Sequence, residues 1–106
     1  MTKEKISELG LEIVAYSGDA RSCYLRALKL AKQGNFEKAE QKIAEGEAAI
    51  NAAHQRQTDL LQAEAQGNYS DVTMIMVHGQ DHLMTTALLR DLINNLLDIY
   101  REKKEG

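Results

Sequence analysis

Gln33-Gly34-Asn35-Phe36-Glu37 decides the fold of this chain. The sequence runs for 106 residues without a single proline, so nothing of that kind interrupts a helix. At this stretch one helix ends and another begins. Gly34 suits the left-handed backbone that closes a helix, Asn35 suits the N-cap of the next, and Glu37 places a negative charge in its first turn. Upstream, from about Lys3 to Gln33, apolar residues recur at Ile6, Leu9, Ile13, Tyr16, Ala20, Cys23, Ala27 and Ala31, close to the helical period. Downstream, a second segment from about Phe36 to Gln66 carries Phe36, Ala39, Ile43, Ile50, Ala53, Leu60 and Leu61 on its apolar face. It is alanine-rich and covers a core more than it creates one.

Gly67-Asn68-Tyr69-Ser70 forms the second break, with Ser70 or Asp71 as the expected N-cap. The third segment, about Asp71 to Lys104, is the most hydrophobic part of the chain. Helices of roughly 30 residues are about 45 Å long, and short turns between them force antiparallel neighbours. The expected fold is all-α: one domain over residues 1–106, an up-down-up three-helix bundle. Gly10 and Gly18, with Ala15, Ser17 and Ala20, form a small-residue stretch that predicts close helix–helix approach. Between Leu88 and Tyr100 the third helix is apolar around more than the ~100° stripe that one core needs. The excess predicts burial by further copies of the chain.

Charge and cysteine usage narrow the function. The formal net charge is −3 with no basic patch, which argues against a nucleic-acid partner. The single cysteine, Cys23, excludes an intrachain disulfide and reads as a small half-buried hydrophobe. No signal-peptide pattern, membrane-spanning run or lipidation motif is present, and a cytoplasmic setting is expected.

The third segment also carries His78-Gly79-Gln80-Asp81-His82. Ionisable groups on the apolar side of a helix cost free energy unless they are paired, hydrated or used. His78 and His82 are four apart and Asp81 is three from His78, so all three can share one side. Steps of three and four lead on through Thr85, Leu88, Leu92 and Ile99, so the polar site continues into an apolar seam. Gly79 leaves room for a bulky group to approach His78, and Gln80 supplies amide donors. Imidazole here can be a metal ligand, a general base, a covalent carrier or a satisfied core group. One alternative is a non-enzymatic metal-binding bundle with His78, Asp81 and His82 as ligands; the glutamate of the zinc-protease pattern is missing. His54 reads as a surface or helix-interface residue, and Arg21 and Asp19 as candidates for pairing within or between subunits.

The string Val77-His78-Gly79-Gln80-Asp81-His82-Leu83-Met84-Thr85-Thr86 resembles the active-site signature of the lactose/cellobiose-type enzyme IIA proteins of the bacterial phosphoenolpyruvate-dependent sugar phosphotransferase system. Ile13-Val14-Ala15-Tyr16-Ser17-Gly18-Asp19-Ala20-Arg21-Ser22 on the first helix and Ala53-His54 with Gln57-Thr58 on the second extend the likeness over nearly the whole chain.

The resemblance implies a phosphohistidine carrier. His78 would accept a phosphoryl group on Nε2 from the histidine-containing phosphocarrier protein and pass it to a cysteine of a sugar-specific enzyme IIB. Uptake of a β-linked disaccharide such as lactose, cellobiose or chitobiose would follow. His82 would be the supporting imidazole and Gln80 a polar contact. The resemblance further implies a nine-helix homotrimer in which Asp81 from each subunit holds one structural Mg²⁺ at the threefold axis. Three carboxylates brought together repel unless a cation neutralises them, and an oxygen-lined site suits Mg²⁺. Met74, Met76 and Met84 would give the flanking surface the adaptability that two different protein partners require.

Overall fold

The computed structural model describes residues 1–68 and 71–105. Three long helices account for almost all of them: α1 over Lys3–Lys32, α2 over Phe36–Ala65 and α3 over Met74–Glu105. They lie side by side in a rod of 56 × 18 × 18 Å. The up-down-up course expected from the short turns is the one observed, and the described residues include no strand.

The α1–α2 turn forms for the reasons its sequence gives. Gly34 takes φ +84°, its amide bonds the Ala31 carbonyl, and the Asn35 amide reaches the Leu30 carbonyl. The Asn35 side chain then accepts from the Lys38 amide at 3.3 Å, which starts α2. The start of α3 differs from expectation. Ser70 lies outside the described residues, and Asp71 precedes the helix by more than one position. Thr73 is the cap: its hydroxyl accepts from the Met76 amide at 3.2 Å and its carbonyl from the Val77 amide. A threonine hydroxyl satisfies the same orphan amide that aspartate would, so the choice falls to whichever position the incoming turn delivers.

α1 lies against both other helices, which touch each other far less. The core is built from Ile6, Leu9, Ile13, Ala20, Ala27 and Ala31 of α1, Ala39, Ile50, Ala53 and Leu60 of α2, and Leu83, Ile93 and Leu97 of α3. Leu61, expected on the apolar face of α2, is exposed instead. Tyr24, absent from the expected core, is fully buried with its ring against Gly46 and its hydroxyl donating to Glu47 Oε1 at 3.0 Å. Burial first, and then that bond, push its ionisation above the ordinary tyrosine range.

Two glycines set the α1–α3 distance. A Cβ on Gly10 would lie 2.9 Å from the Met76 Cα, and one on Gly79 would lie 2.8 Å from the Gly10 carbonyl oxygen. Gly79 therefore serves backbone contact inside the bundle. It does not open space beside His78. Gly18, by contrast, has nothing within 4 Å of where its Cβ would stand, so no close approach inside the chain requires it.

Overpacking a tight contact costs about 1–3 kcal/mol, whereas alanine is favoured over glycine in a helix interior by up to about 1 kcal/mol. Gly79→Ala should accordingly lower the urea midpoint, and Gly18→Ala should leave it unchanged or raise it. Equal effects of the two substitutions would contradict this packing.

Candidate functional site

Gly79 fixes the rotation of α3. With its α-carbon turned toward α1, and about 100° per residue, the positions on either side fall on opposite flanks. His78 and His82 fall on one flank, together with Thr85 and Leu89. That flank faces α1: Arg21, Leu25, Thr85, Thr86 and Leu89 line one open cleft, and the Thr86 hydroxyl donates to the Ser17 carbonyl at 3.5 Å. Gln80 falls on the other flank, facing α2, where Gln57 Nε2 donates to Gln80 Oε1 at 2.6 Å. Asp81 points away from the core.

The imidazoles of His78 and His82 meet edge to face, with ring centroids 4.5 Å apart and an interplanar angle of 82°. His78 is exposed and His82 half-buried. Neither ring is hydrogen-bonded to any described residue, so the nitrogens stay available for chemistry. The pair is open on the solvent side of His78. The expected polar contact from Gln80 is not made within the chain. Side chains two apart on a helix face opposite ways, and Gln80 is held by Gln57.

Asp81 is exposed and its carboxylate has no hydrogen-bond partner among the described residues. It sits in the middle of an apolar stripe that continues the seam read from the sequence. Met74 is 83% exposed, Leu88 60% and Ile99 59%, with Val77, Met84 and Leu92 also open to solvent. α3 therefore carries two apolar faces, one inside the bundle and one outside, with the histidines on the flank between them.

The described residues hold no cluster of three His, Cys, Asp or Glu side chains able to bind a metal. A chelate of His78, Asp81 and His82 around one ion in a single chain is thus not formed. Asp81 alone provides a hard oxygen donor, which fits a shared cation only where several copies bring their carboxylates together. His54 is half-buried on α2, and Arg21 and Asp19 are exposed with no ion pair among the described residues. Arg21 borders the α1–α3 cleft one turn beyond His82. Cys23 is half-buried, and burial pushes its thiol up, away from reactivity. No described helix is long and apolar enough to cross a membrane.

Sequence reading missed Gln57 as the partner of Gln80. The signal was present: a spacing of two puts Gln80 across the helix from His78, toward whichever helix packs there.

This chain, a three-helix rod with an exposed and a half-buried histidine in contact on its third helix, is similar to known proteins. Residues 8–101 match the family described as PTS system, Lactose/Cellobiose specific IIA subunit, and the chain belongs to that family. It is 52% identical over 101 residues to the PTS system lactose-specific EIIA component of Staphylococcus aureus (strain N315), covering 95% of this chain and 98% of that protein. The crystal structure of the PTS cellobiose-specific enzyme IIA from Bacillus anthracis superposes with a TM-score of 0.92 at 33% identity, covering 100% of this chain and 95% of that one. The IIA(Chitobiose) chain of a solution complex with HPr from the N,N'-diacetylchitobiose branch of the Escherichia coli phosphotransferase system matches with a TM-score of 0.80 at 37% identity, over 93% and 96% of the two chains.

Exposure sets the order of reaction of the three imidazoles. With diethyl pyrocarbonate, His78 should be carbethoxylated ahead of half-buried His82 and His54, as read by peptide mass spectrometry. Preferential labelling of His82 would contradict the geometry.

Proposed function

We propose that this chain is a phosphoryl carrier of sugar uptake, with His78 as the residue that takes and gives up the phosphoryl group. The observation that carries the proposal is the open His78 ring, set edge to face against His82 in a member of the lactose/cellobiose IIA family. The donor is a histidine-containing phosphocarrier protein, in keeping with the HPr complex formed by the chitobiose IIA relative. The acceptor is a cysteine of a sugar-specific enzyme IIB, and the cargo is a β-linked disaccharide such as lactose, cellobiose or chitobiose.

The chemistry asks little of the protein beyond position and charge stabilisation. The lone pair of neutral His78 Nε2 attacks phosphorus. An N–P bond forms at His78 as the N–P bond to the donor imidazole breaks, and the electron pair leaves with the donor. In the second step the IIB thiolate attacks the same phosphorus, an S–P bond forms, and His78 Nε2 recovers its electron pair. His82 supports the orientation of the His78 ring through their edge-to-face contact. Met74 and Met84, both exposed, give the rim a surface that repacks around two different partners.

The exposed stripe of α3 is more apolar than a lone bundle leaves to water. It supports a parallel, cyclic homotrimer of nine helices, with the three α3 stripes inward. The Asp81 carboxylates then converge on the axis, and a structural Mg²⁺ bound there neutralises their mutual repulsion.

Phosphoenolpyruvate, enzyme I and the phosphocarrier together should label the chain with an acid-labile, alkali-stable phosphoryl group. His78→Ala should take none; labelling of that variant at the wild-type level would reject the assignment. Metal analysis should find about one Mg²⁺ per three chains. Asp81→Ala should lose that ion while the trimer, relieved of carboxylate repulsion, persists in sedimentation. One transition-metal ion per chain would instead revive the chelate reading.

A further inference from the structure

The far end of the rod carries a cleft that phosphoryl transfer at His78 does not use. It lies between α1 and α3 beside the α1–α2 turn, roughly 35–40 Å along α3 from His78. Its volume is about 490 Å³, within the range of small-molecule sites. Ala31 and Tyr100 give it an apolar floor, Gln33 an amide, and Lys32, Lys103 and Lys104 its charge. No carboxylate of the described residues lines it, in a chain whose net charge is −3. An adjoining cleft that shares Gln33 adds Arg26 and Lys29, again with no carboxylate. Read along the chain, the sequence shows no basic patch; the fold assembles this one from two helix ends far apart in sequence.

A lysine in the last turn of a helix complements the helix dipole, which accounts singly for Lys32 on α1 and for Lys103 and Lys104 on α3. It does not account for their convergence. None of the three forms an ion pair among the described residues. Ammonium groups around one concavity repel one another, and a cleft lined by a single sign of charge concentrates the opposite ion. Lys104 is also held in advance: its Nζ donates to the Gly34 carbonyl at 3.2 Å and stands 5.5 Å from the Phe36 ring centroid. An ammonium has three donors, so two remain for a ligand.

We infer that this cleft is a second binding site, for a small molecule that carries a phosphate monoester on a sugar. Lys32, Lys103 and Lys104 take the phosphate oxygens, Tyr100 and Ala31 meet the apolar face of the sugar ring, and the Gln33 amide serves its hydroxyls. The site does not depend on the carrier reading.

Amide ¹H–¹⁵N correlation spectra of the intact chain, titrated with glucose 6-phosphate, should show saturable shifts at residues 31–34 and 100–104 while the resonances around His78 stay in place. Lys32→Gln/Lys103→Gln spares the Lys104 bond to the turn and should weaken binding at least about tenfold, through the loss of two charged donors. Both lysines are exposed, so the urea midpoint of that variant should match wild type. Tyr100→Leu should bring glucose 6-phosphate down to the affinity of inorganic phosphate. Adenosine monophosphate distinguishes a nucleotide from a sugar phosphate: saturable binding of either ester at these residues supports the site, and the tighter one names the source. No shift at these residues with either ester overturns the inference. So do shifts that inorganic phosphate reproduces at equal affinity and that Tyr100→Leu leaves unchanged. Phosphoryl uptake at His78 should be the same in the double-glutamine variant as in wild type, which keeps failure of this site separate from failure of the carrier reading.

Discussion

The backbone contact between Gly10 and Gly79 is the constraint on which the rest of the structure depends. With no side chain at either position, α1 and α3 approach until a Cβ on Gly79 would stand 2.8 Å from the Gly10 carbonyl oxygen. That contact fixes more than a distance. It locks the rotation of α3 at the point where the chemistry-bearing residues are concentrated. Once Gly79 is turned inward, helix periodicity sends His78 and His82 to the α1 side, Gln80 to the α2 side, and Asp81 to the outside. A rotation of one residue would bury a histidine and expose the glycine.

The same rotation explains how α3 can be the most hydrophobic helix and still carry an open polar site. Leu83, Ile93 and Leu97 fill the bundle core, and Leu88, Leu92 and Ile99 form a second apolar line on the opposite side. The histidines occupy the flank between the two lines. There His82 is half-buried against packed elements while His78 stays exposed.

Much of this was legible in the sequence where it depended on local chemistry. The α1–α2 turn follows from Gly34 and Asn35 because a left-handed glycine and a side-chain N-cap are settled within a few residues. The seam read from the sequence ran from His78 and Asp81 through Thr85 to Leu88, Leu92 and Ile99; its apolar part stands on the outside with Asp81, but the inward turn of Gly79 sets His78, His82 and Thr85 on the flank facing α1 instead. What escaped were properties set by a partner distant in sequence. Gly79 looked like an opening for a ligand because its partner, Gly10, lies on another helix. Thr73 displaced Asp71 as the cap because the path of the chain into α3 is not a local property. Tyr24 was not among the expected core residues, and it is buried because Gly46 of α2 leaves room for its ring and Glu47 takes its hydroxyl. Gln80 is a different case. Its spacing of two from His78 already excluded a contact within the chain, and only its partner Gln57 required the structure.

The account rests on the imidazole nitrogen of His78 as the phosphorus carrier. Two-dimensional ¹H–¹⁵N correlation spectra of the phosphorylated protein, with ¹⁵N-labelled histidine, report which ring and which nitrogen bear the phosphorus through ¹⁵N shifts and ¹⁵N–³¹P coupling. The expected result is a single phosphoramidate on Nε2 of His78, with His82 and His54 unmodified. Phosphorus on either of the other two imidazoles would contradict it.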